Sequence, residues 1–354
     1  MKIGIIGGGQ LGMMMAEAAH KNNHYVVGLD PHSDCPLRHV ADEMICASYD
    51  DKTAFDELVN KVDVMTYEFE NVDIDLVEEY AFMFPQKAQA LTVSKHRFTE
   101  KEFAQSLNIP TPQFHMLTDI KSIVPPVILK TTTGGYDGKG QYIVQTHDDL
   151  NQTSIDISQE IIVEEYIDFD YEISCIVTRD LSGECAFQPL PRNTHKEGIL
   201  WLSDVTEPLP ITVVKQAKSY TKSLVDTLDY VGTLAVEFFV KDNMVIFNEF
   251  APRPHNSGHF SIEGTTVSQF DNHILAMTGE KVKMPTQTSP TLMLNILGED
   301  LDYLKYIKDI PFGHIHMYHK TDARPKRKMG HVTFVHNNSH KLITEITTLI
   351  EAMS

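Results

Sequence analysis

Residues 2–6 form a β-branched apolar run that breaks at Gly7-Gly8-Gly9, and beyond it Leu11, Met14, Met15, Ala18 and Ala19 recur at helical spacing. The pattern predicts strand, tight turn, helix. Further apolar strands are predicted at 24–30 and 62–67, with a helix over 53–61 before the second; this alternation implies a small parallel, doubly wound sheet. After Leu91 the pattern changes. A charged helix is predicted over 94–107, stopped by Ile109-Pro110-Thr111-Pro112, and strands then outnumber helices: 127–130, 142–144, 161–165 and 172–177. A helix around 215–228 precedes two apolar runs, 234–240 and 244–250, joined by Lys241-Asp242-Asn243, which predicts a hairpin with a three-residue turn. Residues 285–290 (P-T-Q-T-S-P) mark a linker to a short terminal module.

At 354 residues the chain has room for two or three domains. With 30 Lys+Arg against 49 Asp+Glu it carries a formal charge of −19, which argues against nucleic acid and anionic membrane surfaces as partners. An anionic ligand would need a local basic exception. Cys35, Cys46, Cys175 and Cys185 are scattered with no C-x-x-C pair, pointing to a reducing compartment and a cytoplasmic protein. No apolar run is long enough to span a membrane.

Five stretches carry candidate chemistry. Gly7-x-Gly9-x-x-Gly12, with Asp30 closing the second strand, fits a dinucleotide fingerprint, and equally a glycine turn required only for close strand–helix packing. Lys130 at a strand end runs into T-T-T-G-G-Y-D-G-K-G-Q. Its glycines and small hydroxyl residues suit a loop that closes over phosphate oxygens, but its spacing is not that of a Walker loop. Glu237 and Glu249 lie inside the apolar strands of the hairpin, where a lone carboxylate is costly unless it is paired or bound to a metal. A three-residue turn places the two on one face, able to share magnesium ions, and a two-residue turn places them on opposite faces. The stretch 248–259 (N-E-F-A-P-R-P-H-N-S-G-H) packs carboxylate, guanidinium, imidazole and amide groups together. Lys320, Arg324, Lys326, Arg327 and Lys328 put five positive charges within nine residues, as a solvated basic loop or a phosphate clamp.

Taken together, G-G-G-Q-L-G, Y-E-F-E-N-V, K-T-T-T-G-G-Y-D-G-K-G-Q, N-E-F-A-P-R-P-H-N-S-G-H and R-P-K-R-K-M-G-H resemble, over nearly the whole chain, the ATP-grasp superfamily and within it the PurK-type carboxyaminoimidazole ribonucleotide synthases. The resemblance implies a mixed α/β and α+β architecture. A Rossmann-like parallel-sheet domain (1–95) would be followed by an ATP-grasp domain (96–285) with a mobile lid around 110–170, and by a small C-terminal domain (286–354). It implies a homodimeric ligase in which ATP phosphorylates bicarbonate to carboxyphosphate and the amine of aminoimidazole ribonucleotide captures the carboxyl group. The related formate-dependent glycinamide ribonucleotide transformylase carries an H-D-T-G element where this chain has His255-Asn256-Ser257-Gly258.

By that resemblance, Arg97, Lys130 and the loop glycines Gly134, Gly135, Gly138 and Gly140 would bind ATP phosphates. Glu164 and the backbone near Ile167 would meet adenine, Glu172 the ribose, and His195 and Asn248 would complete the pocket. Glu237 and Glu249 would hold two magnesium ions. Tyr136, Asp137 and Lys139 would face the ribonucleotide, with Asp137 accepting the amine proton, and Arg253, His255 and Asn256 would orient bicarbonate. Lys320 and Arg327 would clamp the ribonucleotide phosphate, with Glu68 or Glu70 and Gln10 on its polar side. Lys139 stands where relatives often carry arginine, which keeps the charge and loses the planar fork. No lysine resembles a biotin attachment site, so free bicarbonate is the implied donor. An NAD-linked oxidoreductase would use only Gly7–Gly12 and Asp30, and a nucleotide sensor without turnover would leave the other reactive groups without a role.

Overall fold

The computed structural model describes residues 1–135, 140–152, 155–156 and 158–352. Its first sheet takes β1 (Lys2–Ile6), β2 (Tyr25–Leu29), β3 (Glu43–Ile45) and β4 (Val64–Tyr67) in the order β3-β2-β1-β4, all parallel, as the alternating pattern predicts. The three-residue β3 was too short to show in that pattern. The helix Gln10–Lys21 is buried nearly all round, because its methionines and alanines meet this sheet on one side and Phe270 and Ile274 of the helix Gln269–Met277 on the other. That double burial seats the N-terminal unit on the rest of the molecule.

The second sheet is antiparallel: β5 (Phe114–Met116), β6 (Val127–Thr131), β7 (Gln141–Val144) and β8 (Ile161–Glu165), in the order β5-β8-β6-β7. It has a small core of its own around Leu129, Val144, Ile161 and Val163, and it coincides with the segment expected to form a lid.

The third sheet contains β9 (Tyr171–Arg179), β10 (Cys185–Phe187), β11 (Arg192–Lys196), β12 (Ile199–Asp204), β13 (Gly232–Lys241), β14 (Met244–Ala251), β15 (Thr291–Leu297), β16 (Gly313–Met317) and β17 (Lys328–Val335). The order is β14-β13-β9-β11-β12-β15-β17-β16, with β10 on β9. The terminal module thus extends this sheet: the 285–290 linker leads into β15, whose Leu294 pairs with Leu202 of β12. Every residue of β15 is buried, as expected for a strand in the middle of a covered sheet.

Two sequence expectations need correction. The charged helix expected over 94–107 forms as Arg97–Ser106, starting three residues later because His96 is extended and its ring accepts from the Thr99 N–H as an N-cap, and a separate helix, Gln89–Ser94, precedes it. The hairpin turn has two residues, with Lys241 opposite Met244. Asp242 (φ 49°) and Asn243 (φ 62°) both adopt the left-handed conformation that a two-residue turn of type I′ requires.

Candidate active site

A two-residue turn alone would place Glu237 opposite Asn248 and turn Glu249 to the other face of the sheet. The structure avoids this with a β-bulge: Phe238 pairs with Phe247, Glu237 pairs with Glu249, and Asn248 is the extra residue. The two carboxylates therefore share a face, though not by the turn that the sequence suggested. Glu237 is pushed up to about 7, first by burial and then by the charges of Glu249 and Glu172, against the opposing pull of His195 and Lys328. Such a pair calls for a cation. Among the described residues no group of three or more His, Cys, Asp or Glu side chains gathers to hold a metal, so an ion between these two would take further ligands from elsewhere, such as phosphate oxygens.

Beside the pair, Glu172 on β9 bonds His195 Nδ1 on β11. Burial alone would lower the His195 pKa, but the Glu172 bond and the charge of Glu237 outweigh it and raise it. His255 brings Nε2 to 3.5 Å from Glu237 Oε1, and its Nδ1 lies 2.8 Å from Ser257 Oγ. Burial and the neighbouring cations Arg253 and Lys328 hold His255 neutral, well below the usual histidine range.

The end of the cleft expected to take the phosphates is built on the helix Arg97–Ser106. Arg97 donates to the carbonyls of Thr131 (2.6 Å) and Gly135 (2.9 Å), fixing the start of the glycine loop. Gly134 (φ 76°) adopts a conformation natural to glycine, with open space where a Cβ would project. Lys130 Nζ lies 2.9 Å from Glu164 Oε2 and 3.3 Å from Asn248 Oδ1. Lys101 Nζ reaches Glu164 Oε1 at 3.3 Å and donates to the Asn248 carbonyl at 2.9 Å. Two buried lysines thus share one carboxylate and leave a surplus positive charge, the electrostatics an anionic ligand needs. Burial would raise Glu164, but Lys130 and Lys101 outweigh it and hold it low. Ile167 lies on the segment between β8 and β9. Tyr136, Asp137, Gly138 and Lys139 lie outside the described residues.

The loop after β14 carries Arg253, whose Nη2 pairs with Glu70 Oε1 at 2.8 Å. Asn256 is 7% exposed and exchanges two amide bonds with Asn295, at 3.0 and 2.7 Å. Its side chain therefore anchors the loop to β15. Lys320 Nζ donates to the Lys328 carbonyl at 2.8 Å, and Arg327 donates through Nη1 to the Asp322 carbonyl at 2.8 Å.

The glycine turn at the N-terminus is filled by the protein itself. Glu68 accepts from the amides of Gly9 and Gly12, and a Cβ at Gly9 would meet its Oε1 at 2.5 Å. Asp30 accepts from Gly8 N–H and the Tyr49 hydroxyl through Oδ2, and from His32 N–H through Oδ1. The amides that would bind a dinucleotide phosphate, and the acid that would take its ribose, are occupied by internal bonds. Of the two acids expected near substrate, Glu68 is spent on this turn and Glu70 faces Arg253; Gln10 opens the helix Gln10–Lys21.

Residues 1–95 match the model of the ribonucleotide synthetase preATP-grasp domain, 102–270 that of the ATP-grasp domain, and 291–345 that of the phosphoribosylaminoimidazole carboxylase C-terminal domain. The chain is 42% identical over 351 residues to N5-carboxyaminoimidazole ribonucleotide synthase of Staphylococcus aureus (strain COL), covering 95% of this chain and 93% of that protein. The chain belongs to the N5-carboxyaminoimidazole ribonucleotide synthase family. Solved synthases share its fold throughout. The Staphylococcus aureus enzyme complexed with ADP superposes with a TM-score of 0.93 at 39% identity, covering 98% of this chain and 96% of that one. The Aspergillus clavatus enzyme in complex with ADP and 5-aminoimidazole ribonucleotide gives 0.90 at 28% identity, over 99% and 98%.

As a synthase of this family the chain is an ATP-grasp ligase. Its cleft holds side chains that the sequence did not single out. Glu100 and Lys101 are 3% and 1% exposed on the inner face of the helix Arg97–Ser106, and Asn295 lies on a wholly buried strand. Arg97, Glu100, Lys101 and Ala104 recur at helical spacing, and that spacing was the available signal. Their charge points the other way, toward a solvated face.

Proposed function

We propose that this chain carboxylates 5-aminoimidazole ribonucleotide with free bicarbonate at the expense of ATP, through carboxyphosphate, in de novo purine biosynthesis. The reading is supported most by one observation: the Asn248 bulge brings Glu237 and Glu249 to one face beside the buried lysine pair. Arg97 and Lys130 bind the phosphates, with the glycine loop closing over them, and Glu172 with His195 borders the ribose side. Glu237 and Glu249 would hold magnesium, which would offset negative charge on the nucleotide phosphates. Bicarbonate is a poor electrophile, so positioning and charge neutralisation carry the rate. Arg253, oriented by Glu70, and neutral His255 lie where bicarbonate and the transferred phosphoryl group would meet. Asp137 would accept the amine proton, Tyr136 and Lys139 would face the imidazole, and Lys320 and Arg327 would take the ribonucleotide phosphate. A homodimer in the cytoplasm belongs to the same proposal; the four cysteines are free, and no described helix is long and apolar enough to cross a membrane.

The test is ADP release measured with ATP, bicarbonate and aminoimidazole ribonucleotide. Glu249→Gln is expected to lower turnover by about 100-fold or more, the scale of losing a charge-stabilising group in a transition state. Turnover within twofold of wild type would remove the metal assignment.

A further inference from the structure

Glu249 occupies an unusual place in its strand. It follows the bulged residue Asn248, and both of its flanking peptide groups are bonded by side chains outside the sheet. The Asn248 carbonyl, on the peptide before it, accepts from Lys101 Nζ at 2.9 Å. The Phe250 amide, on the peptide after it, donates to Glu100 Oε1 at 2.7 Å. A bulge leaves backbone groups outside the ladder, and buried ones need partners. Here one helix supplies a donor and an acceptor from consecutive residues.

The cost of this arrangement shows that packing alone does not account for it. Glu100 and Lys101 are 3% and 1% exposed, and burying two ionisable side chains on a helix face is unfavourable unless they are bonded. Burial, with the charge of Glu249, raises Glu100 well above the carboxylate range, and burial lowers Lys101. Apolar residues would fill the same space, but they would leave the bulge without its two bonds. With the regular ladder restored, Glu249 would turn to the opposite face from Glu237.

We propose that Glu100 and Lys101 are positioning residues that hold the Asn248 bulge, and with it the same-face placement of Glu249 and Glu237 against a metal–nucleotide complex. The inference rests on the reading of Glu237 and Glu249 as metal ligands, and its test keeps the two apart. Lys101 also touches Glu164, the partner of Lys130, so a loss of nucleotide affinity alone would not identify its role. The decisive quantity is a ratio: the affinity of the whole protein for ADP with Mn2+ divided by that for ADP in EDTA, both by calorimetry. Changes that weaken both forms equally cancel.

Glu100→Leu is expected to lower this ratio about tenfold, the scale on which partners behind a metal ligand act. Glu100→Gln keeps an acceptor oxygen for the Phe250 amide and is expected to stay within about twofold of wild type. Lys101→Met, which preserves most of the side-chain volume, is expected to lower the ratio as Glu100→Leu does, and it provides the test should Glu100→Leu not fold. Glu249→Gln is the control. If it leaves the ratio unchanged, the metal assignment fails. If Glu249→Gln lowers the ratio while Glu100→Leu and Lys101→Met leave it within twofold, the positioning role is overturned. A Glu100→Gln variant as impaired as Glu100→Leu also overturns it.

Discussion

His273 shows how one buried side chain fixes both its own protonation state and the joining of two units. Its Nδ1 accepts the Thr233 amide of β13 at 3.1 Å, so that nitrogen carries no proton. Its Nε2 lies 2.9 Å from Thr66 Oγ1 of β4, whose hydroxyl donates to Gln86 Oε1; Nε2 is therefore the protonated nitrogen, donating to Thr66. Burial pushes the His273 pKa down to about 3. The unfolded chain takes up this proton near pH 6.5 and the folded chain only near 3, so the unfolded state binds more protons between those values and stability falls as pH drops below 6.5. From pH 6.5 to 5 this group is expected to remove about 2 kcal/mol. His273→Gln should lose correspondingly less stability over that interval than wild type in urea unfolding; parallel losses would show that His273 does not titrate in this way. At this scale the candidate site was partly legible. Lys130, Glu237 and Glu249 stand out as charges in apolar strands, whereas Glu100 and Lys101 are charges in a charged helix, where helical spacing is the one sign of an inward face and their charge points outward.

Among the elements, the β13–β14 hairpin rests on two compensating features. Its tight turn shifts the register by one residue and the Asn248 bulge shifts it by one more in the same direction, so with the two-residue turn the carboxylates share a face only because the bulge is present. The sequence shows the strands through their apolar runs, but a bulge leaves no periodic trace and a D-N pair is compatible with more than one turn length. Asn243, at φ 62°, makes the turn testable. Asn243→Val is expected to cost about 1–2 kcal/mol because a β-branched residue is strained at positive φ, while Asn243→Gly should be close to neutral. Thermal midpoints of the two variants give the comparison, and equal midpoints would contradict the assigned turn. The N-terminal glycine turn teaches a related lesson. Its spacing matches a nucleotide fingerprint, yet Glu68, 56 residues beyond Gly12 along the chain, closes it from inside. Calorimetry with NADH is therefore expected to give no heat of binding at that turn, and a saturable heat lost in an Asp30→Asn variant would reverse the assignment.

Across the whole molecule, the parallel unit, three of the four strands of the small antiparallel sheet and the terminal segment were legible from their patterns. The joining of the terminal segment to the central sheet was not, because β12 and β15 are distant in sequence and register between remote strands is set by packing. The same holds for charge. The total of −19 describes the surface, whereas the proposed site draws on a few basic side chains from distant segments: Arg97, Lys101, Lys130 and Arg253, with Lys320 and Arg327 on the loop between β16 and β17. The central claim is that this cleft activates bicarbonate for transfer to an amine. It is tested most directly by following radiolabelled bicarbonate into aminoimidazole ribonucleotide while counting ADP, with formate supplied in a parallel reaction. The account predicts one ADP released per carboxyl group fixed, dependent on both bicarbonate and the ribonucleotide, and no stimulation by formate. ADP release driven by formate, or unaffected by the ribonucleotide, would contradict it.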